Sequence, residues 1–397
     1  MSLRPFLCHA REDRLRLEEF SAQLSLMGAD GWQDVNDLRL GSPSEGEIRR
    51  VIAEDAGGFI WFGTPASMTS RFIRKVEIPA ALGRGRRGGF PVVPLFSDLR
   101  PGDLPRRPRL CLPRWRGSLA ALGGLNGVLR ADGEDDPTLW RRAAGDYVRH
   151  ALVARGSAPI TISFSCTAVP DHTAEVAVDW RAVVEETTSG IDGARVTHAA
   201  GNLESALREA GVRRVRITGD LYAPLAAALG YQWRAVSGLQ LEVAQRFGGR
   251  EMTVSSKMLA SGFSVVPARQ ARGGEGPVLV VVSAPEPIDG AAGRYADEIG
   301  AEEIITLHAP HVLSEDQIGG LAQQAARLLA DLSDLGRDKH LVVRGPMSLA
   351  IMIGAASNAI GPTRVPLWDR SGGYLPGLVI GGAAMVASGQ LPAPSKP

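Results

Sequence analysis

Two short stretches carry residues able to do chemistry. Between Ala56 and Ser97 the only carboxylate is Glu77, and Arg71, Arg74, Lys75, Arg84, Arg86 and Arg87 surround it. A solitary acid among cations either forms a salt bridge on a solvated helix face or faces a pocket where positive charge develops. We read Glu77 in the second way. The other stretch is LVVRGPMSLA, where an apolar strand passes through Arg344 and Gly345 into an apolar helix at Pro346, Met347 and Ser348. Free backbone N–H groups and the positive end of the helix dipole meet there, and glycine lets a ligand approach, so the junction suits an anion. Arg344 adds a formal charge, Ser348 a hydroxyl, and Pro346 fits the first helical position. RRVRITGDLYAPLAAALG repeats the pattern at Gly219, with Asp220 read as the N-cap. A carboxylate there repels phosphate, so we assign phosphate to the second junction and base and ribose contacts to the first. Neither is a P-loop, because no GKS or GKT occurs, and ATP hydrolysis is not expected.

The elements that must position these residues follow from the pattern. RPFLCHA reads as a strand, REDRLRLEEFSAQLSLMGA as a helix closed by Gly28, and GWQDVNDLRLG as a loop. EGEIRRVIAED is an amphipathic helix, GGFIWFG a fully buried strand, SMTSRFIRKVEIPAAL a short helix and FPVVPLF the next strand. Strands alternating with helices predict a parallel sheet, with ligands beyond the carboxyl ends of its strands. Beyond residue 160, Val/Ile runs alternate with Ala-rich helices, and two passages look alike, which predicts two Rossmann-like halves packed as a pseudo-dimer. LWRRAAGDYVRHALVARG is the expected connector. The boundaries are 1–145, a connector at 146–160, and 161–397, with halves at about 161–265 and 275–385.

Composition narrows the function. A length of 397 residues with 44% hydrophobic content allows two or three packed domains. A formal net charge of +1 argues against duplex nucleic acid or an anionic membrane as partner. Cys8, Cys111 and Cys166 lie far apart without a CxxC pair, which favours a reducing compartment and disfavours zinc. His308 and His311 form an HxxH beside Pro310 without a supporting acid, so no metal site is expected. No signal peptide or bilayer-length apolar run is found, and the expected location is cytoplasmic. The tail after Met385 reads as disordered, and the basic, proline-rich run from Arg84 to Arg116 as a solvated loop.

The front of the chain resembles TIR domains over roughly its first 130 residues. FLCHAREDRLRLEEF resembles their opening box, DGWQDVNDLRLG their mobile loop, and SRFIRKVEIPAAL their S-x-W-x-x-x-E helix. Here Phe72 or Ile73 replaces the tryptophan, and the serine-to-glutamate spacing is one residue longer. The resemblance implies a flavodoxin-like α/β fold and, in the enzymatic branch, Glu77 as the catalytic residue cleaving the nicotinamide–ribose bond of NAD+. Breaking that bond builds oxocarbenium character on the ribose, which a fixed carboxylate stabilises, and the cationic nicotinamide leaves without a strong general acid. Trp32 or Phe6 would stack on a ring, Arg11 or Arg39 hold the pyrophosphate, and Asp34 or Asp37 accept ribose hydroxyls. Ala10 lies in the same turn, with His9 as a strand-end packing residue.

The passage LVVRGPMSLAIMIGAASNAIGPTRVPLWDRSGGYLPGL resembles the C-terminal part of SAVED domains, fused CARF-like sensor modules of bacterial CBASS anti-phage systems, over about 160–385. The whole chain therefore resembles a TIR-SAVED effector. That implies a sensor for a cyclic oligoadenylate, foremost cyclic tri-adenylate, which activates an NAD+ glycohydrolase through oligomer or filament formation. NAD+ is then substrate, the cyclic nucleotide an activating ligand, and no cofactor is required. Trp180, Tyr222, Trp368 and Tyr374 are candidates for stacking adenines. Lys257 and Arg370 are further phosphate candidates, and Ser283 and Asp369 complete the expected contacts. The resemblance also implies an NAD+ site formed between neighbouring copies, residues 32–41 of one against Glu77 of another. A non-catalytic adaptor that assembles on nucleotide and recruits a partner is the rival.

Overall fold

The computed structural model describes residues 3–32, 44–99, 103–104, 122, 125, 127–185, 191–234, 237–247, 249–369, 372–381 and 386–387. It divides into two compact units. One comprises residues 1–158 with 172–178 and 205–212, the other residues 159–171 with 179–204 and 213–397.

The first unit contains β1 (Pro5–Cys8), α1 (Arg14–Ser25), α2 (Ser44–Arg50), β2 (Gly58–Gly63), α3 (Pro65–Thr69), α4 (Ile78–Gly85), β3 (Val92–Phe96), β4 (Val128–Leu129) and α5 (Asp136–Arg155). Its strands are parallel in the order β1-β2-β3-β4. Trp32 adds a bridge on the free edge of β1: its N–H donates to Pro5 O at 2.7 Å, and Leu7 N–H donates to Trp32 O at 3.0 Å. Counting that bridge as the second element in the chain, the order is 2-1-3-4-5, the flavodoxin-like arrangement with its switch point between β1 and β2. The run GFIWFG is buried at every position, as a strand covered on both faces must be. The helix expected as a connector is instead part of this unit. Asp135 caps α5 by accepting from Thr138 N, and Leu139, Trp140, Tyr147 and Leu152 are buried along it. Tyr147 Oη donates to Leu3 O at 2.9 Å, and a Cβ on Gly58 would meet that oxygen at 2.5 Å, so the strand start must be glycine.

The second unit contains β5 (Ile160–Ser165), α6 (Arg181–Glu185) and the first part of α7 (Gly193–Glu209), while β6 (Val176–Asp179), but for its last residue, and the end of α7 count with the first unit. The second unit continues through β7 (Arg214–Asp220), α8 (Ala223–Gln232), β8 (Gln240–Phe247), β9 (Arg250–Ser255) and β10 (Ala268–Ala271). It then passes through β11 (Val278–Ser283), α9 (Asp289–Glu298), β12 (Glu303–His308), α10 (Glu315–Asp334), β13 (Lys339–Arg344) and α11 (Met347–Ala356), and ends at β14 (Thr363–Trp368), β15 (Tyr374–Ile380) and β16 (Val386–Ala387). Strands β5-β7-β8-β9 are neighbours in one sheet. The other sheet runs β10-β12-β11-β13-β14-β15-β16, parallel from β12 to β14 and antiparallel outside. Each half thus has a parallel β-sheet centre, the mixed α/β architecture of Rossmann-like halves.

The halves meet through α8 and α11, and the contact is reciprocal. A Cβ on Gly230 would lie 2.0 Å from Ile351 O, and one on Gly354 would lie 2.1 Å from Ala227 O. Each glycine sits three positions after the carbonyl that its counterpart touches, so the helices cross backbone to backbone about a near-twofold. The same offset matches Tyr222 with Pro346, and both are N-caps with almost identical dihedrals (−61°, 148° and −64°, 147°). It also matches Asp220 with Arg344. The expected pairing of Gly219 with Gly345 is therefore corrected. Gly219 lies inside β7 at φ +97°, where a Cβ would stand 1.9 Å from Phe164 O, whereas Gly345 follows β13.

Under the second sheet, the buried Tyr295 hydroxyl and His340 Nδ1 lie 2.7 Å apart. Burial lowers the His340 pKa from 6.5 to about 4, with Arg364 pushing the same way and Asp338 opposing. The folded imidazole is neutral while the unfolded one charges, so this contribution to stability is complete above about pH 6.5. It is lost as the pH falls toward 4. The unfolding midpoint of this unit is expected to drop across that window, and His340→Gln to flatten the drop, in denaturant titrations at pH 4, 5, 6 and 7.

Candidate functional site

At the switch point of the first sheet, β1 runs out into His9, Ala10 and Arg11, and β2 into Thr64. Thr64 caps α3 through a reciprocal bond with Ser67, and its hydroxyl donates to the buried Asp13 at 2.7 Å, tying the two strand ends together. The expected single helix around Glu77 is a composite. After α3 the chain makes a π turn over Ile73–Glu77, closed by Ile78 N–H to Ile73 O, and continues as α4 with Pro79 in its first turn. Ile73, Val76 and Ile78 pack into a cluster with Phe6, Cys8, Trp32, Phe59 and Trp61, which leaves Glu77 itself 5% exposed. An acid so enclosed is held in place by its neighbours.

Other expected residues of this site fall differently. Phe6 and Trp32 stack on each other at 5.0 Å, and Phe6 also stacks on Phe59 at 5.8 Å, all inside the core. Their faces are occupied by protein, so neither is placed to stack on a ligand ring in this chain. His9 Nδ1 stands 3.0 Å from Leu7 O, a local strand-end bond. Ala10 is buried, and Arg11 is exposed on the 3-10 turn after β1. Asp34, Asp37 and Arg39 lie outside the described residues.

In the second unit the strand register gathers most of the expected contacts. Ser283 pairs in register with His308 on one side and with Arg344 on the other, so all three sit at the carboxyl edge of β12-β11-β13. Ser283 Oγ lies 2.9 Å from His308 Nδ1. Arg344 is ion-paired with Glu286 while half exposed, and such a pair contributes little stability and yields readily to a better anion. Trp368 ends β14 and packs edge-on against Tyr374 (4.9 Å, 71°), keeping 43% of its surface exposed. Burial pushes the Tyr374 phenol up to about 12 despite Arg344 and Arg294, so it remains a donor at neutral pH. Asp369 closes the turn beside it, with Asp369 N–H donating to Gly373 O at 3.0 Å. Arg370 lies outside the described residues. Pro346 is the N-cap of α11 rather than its first residue, Met347 follows it, and Ser348 N–H donates to Gln245 Oε1 at 2.9 Å.

The first half's edge differs, as the opposed charges of Asp220 and Arg344 predict. Asp220 is not an N-cap. It accepts from Ser165 Oγ (3.0 Å), Thr167 N (2.9 Å) and Thr167 Oγ1 (2.5 Å), so its carboxylate organises its own loop. The N-cap is Tyr222. Trp180 is corrected too: it is 1% exposed and packs edge-on against Phe164 at 4.9 Å, leaving no face for an adenine. Lys257 is exposed on the 3-10 turn after β9. A cavity of about 410 Å³, lined by Phe263, Leu307, Gln324, Arg327 and Asp331 among others, has none of Ser283, His308, Arg344, Trp368 or Tyr374 in its wall. Gln245 and Glu286 escaped sequence reasoning, and the Ser283 partner His308 was weighed there only as half of an HxxH. Only the register of β11 and β12 could have flagged His308, and nothing local marks Gln245.

No helix among the described residues is long and apolar enough to cross a membrane. Comparison with known proteins adds the following. No curated protein matches the chain. Among solved structures it resembles the Acinetobacter baumannii Cap4 SAVED/CARF-domain receptor with the cyclic trinucleotide 2'3'3'-cAAA, at 12% identity and a TM-score of 0.48, covering 94% of this chain and 98% of that one. A Moraxella osloensis Cap4 SAVED/CARF-domain receptor resembles it at 12% identity and a TM-score of 0.43, covering 95% and 87%. Residues 196–380 match the family described as SAVED, the SMODS-associated and fused to various effectors sensor domain. Over those residues the chain carries a SAVED sensor domain.

Proposed function

We propose that the chain is a nucleotide-triggered effector. Its second unit binds a cyclic oligoadenylate, foremost cyclic tri-adenylate, at the carboxyl edge of β11-β13-β14. Its first unit cleaves NAD+ at the nicotinamide–ribose bond when copies assemble. The observation that carries the sensor half is the open edge, inside a stretch that matches a sensor-domain family, where Ser283, Arg344 and the Trp368–Tyr374 pair converge. An exposed guanidinium beside a helix N-terminus suits a phosphate, and an exposed indole suits a base. Activation follows mass action, since a ligand that binds only the assembled state stabilises that state.

The effector half is supported by the π turn at Glu77. A π turn houses one more residue than an α turn, so it absorbs the extra residue between Ser70 and Glu77 and returns the acid to the facing it would otherwise lose. π turns also concentrate at functional positions. The near-complete burial of Glu77 in a single chain favours a second reading, an adaptor without catalysis. Etheno-NAD+ fluorescence with and without a panel of cyclic di-, tri- and tetranucleotides separates them. Ligand-dependent cleavage by the full chain supports the enzyme. Ligand-driven assembly without cleavage supports the adaptor. Full turnover by ligand-free monomer sinks the trigger. Arg344→Glu is expected to weaken cyclic tri-adenylate binding about a hundredfold, with a charge-assisted contact replaced by repulsion, and to leave the Tm unchanged. Isothermal titration and a thermal melt check it.

A further inference from the structure

We propose that Gln245 reads the ligand from the opposite half, donating its side-chain NH2 to a phosphate oxygen held at the first turn of α11. This rests on the sensor reading above. Gln245 stands half-buried on β8, in the first half of the second unit, and accepts from Ser348 N–H at 2.9 Å. A backbone N–H only donates, so the amide oxygen must face it, and the orientation of this amide is determined by chemistry. Nε2 must then point elsewhere. Its partner among the described residues is the Met252 thioether at 3.5 Å, a weak acceptor that leaves donor capacity unspent.

A second unspent group stands beside it. The Ser348 side chain is wholly buried, and its Oγ has no hydrogen-bond partner among the described residues. Buried hydroxyls are almost always satisfied, so an orphan on the first turn of a ten-residue helix marks a place where an acceptor belongs. Gln245 Nε2 and Ser348 Oγ are two donors flanking that turn, with the Arg344 guanidinium at the end of the preceding strand. Three donors suit a phosphate, whose oxygens accept only. The glutamine is already held by Ser348 N–H, so it loses little rotamer freedom on binding. A ligand held by Gln245 and Arg344 together is gripped by both halves.

Gln245→Glu is the sharp test, because it keeps an acceptor for Ser348 N–H and turns the donor end into an anion. In the full chain, titration with cyclic tri-adenylate is expected to give a Kd at least tenfold weaker than wild type, with an unchanged Tm. Gln245→Met, which removes both roles at similar volume, is expected to bind at least about tenfold weaker as well. Binding by Gln245→Glu within threefold of wild type overturns the proposal and leaves Gln245 as a helix cap only. If the wild-type chain binds no cyclic di-, tri- or tetranucleotide, the sensor reading itself fails and this inference falls with it.

Discussion

Gly354→Ala is expected to cost the second unit about 3 kcal/mol and to lower its melting temperature by roughly 6–12 °C. The added methyl would meet Ala227 O at 2.1 Å and Tyr231 N at 2.6 Å, and both are backbone atoms of a packed helix. A flexible side chain could move aside, but α8 must shift as a body. Gly293→Ala is the matched control. Gly293 also lies within a helix, α9, yet an added Cβ meets nothing within 4 Å. Relief of backbone entropy should make that variant more stable, by about 0.5–1 kcal/mol. Opposite signs for the same chemical change would assign the cost to the helix crossing. Equal effects would show that α8 and α11 are not in backbone contact.

Glu77→Gln is expected to reduce ligand-stimulated NAD+ cleavage by a factor of about a thousand or more. Glutamine keeps the shape and loses the charge that would stabilise the oxocarbenium-like ribose. The thermal midpoint should change little, because glutamine keeps the shape of the side chain it replaces in a site that is nearly closed to water. Ligand-driven assembly should persist. Cleavage that stays within tenfold of wild type would remove Glu77 from the chemistry, and loss of both assembly and stability would mark it as a packing residue.

Much of this was legible in the sequence wherever the signal was local. The buried run GFIWFG and the alternation of Val/Ile strands with Ala-rich helices are near-neighbour patterns, and each became the element expected. The duplicated strand-to-helix junction kept its strands and helices but is matched at Tyr222 and Pro346 rather than at its glycines. The errors came where one residue type serves two ends. A glycine before a helix looks alike whether it opens a turn, as Gly345 does, or relieves a clash between strands, as Gly219 does against Phe164. The marks that set the register of the repeat, Gly230 and Gly354, sit inside helices, where glycine is usually a weakness. Trp180 and Asp220 have the chemistry of ligand contacts. Their neighbours, Phe164 and the Ser165–Thr167 loop, claim them first. Gln245 was invisible because its meaning depends on a helix that begins a hundred positions later.

The reciprocal seating of α8 on α11 bears on how the chain is made. The two glycines bracket a loop of about 120 residues, whose closure alone opposes folding by about 4 kcal/mol. Until α11 has left the ribosome, α8 carries a bare backbone notch and an apolar flank with nothing to cover them. The first half of this unit therefore waits in an incompletely packed state during synthesis, and its exposure to chaperones or to another nascent copy lasts as long as translation of the remaining segment.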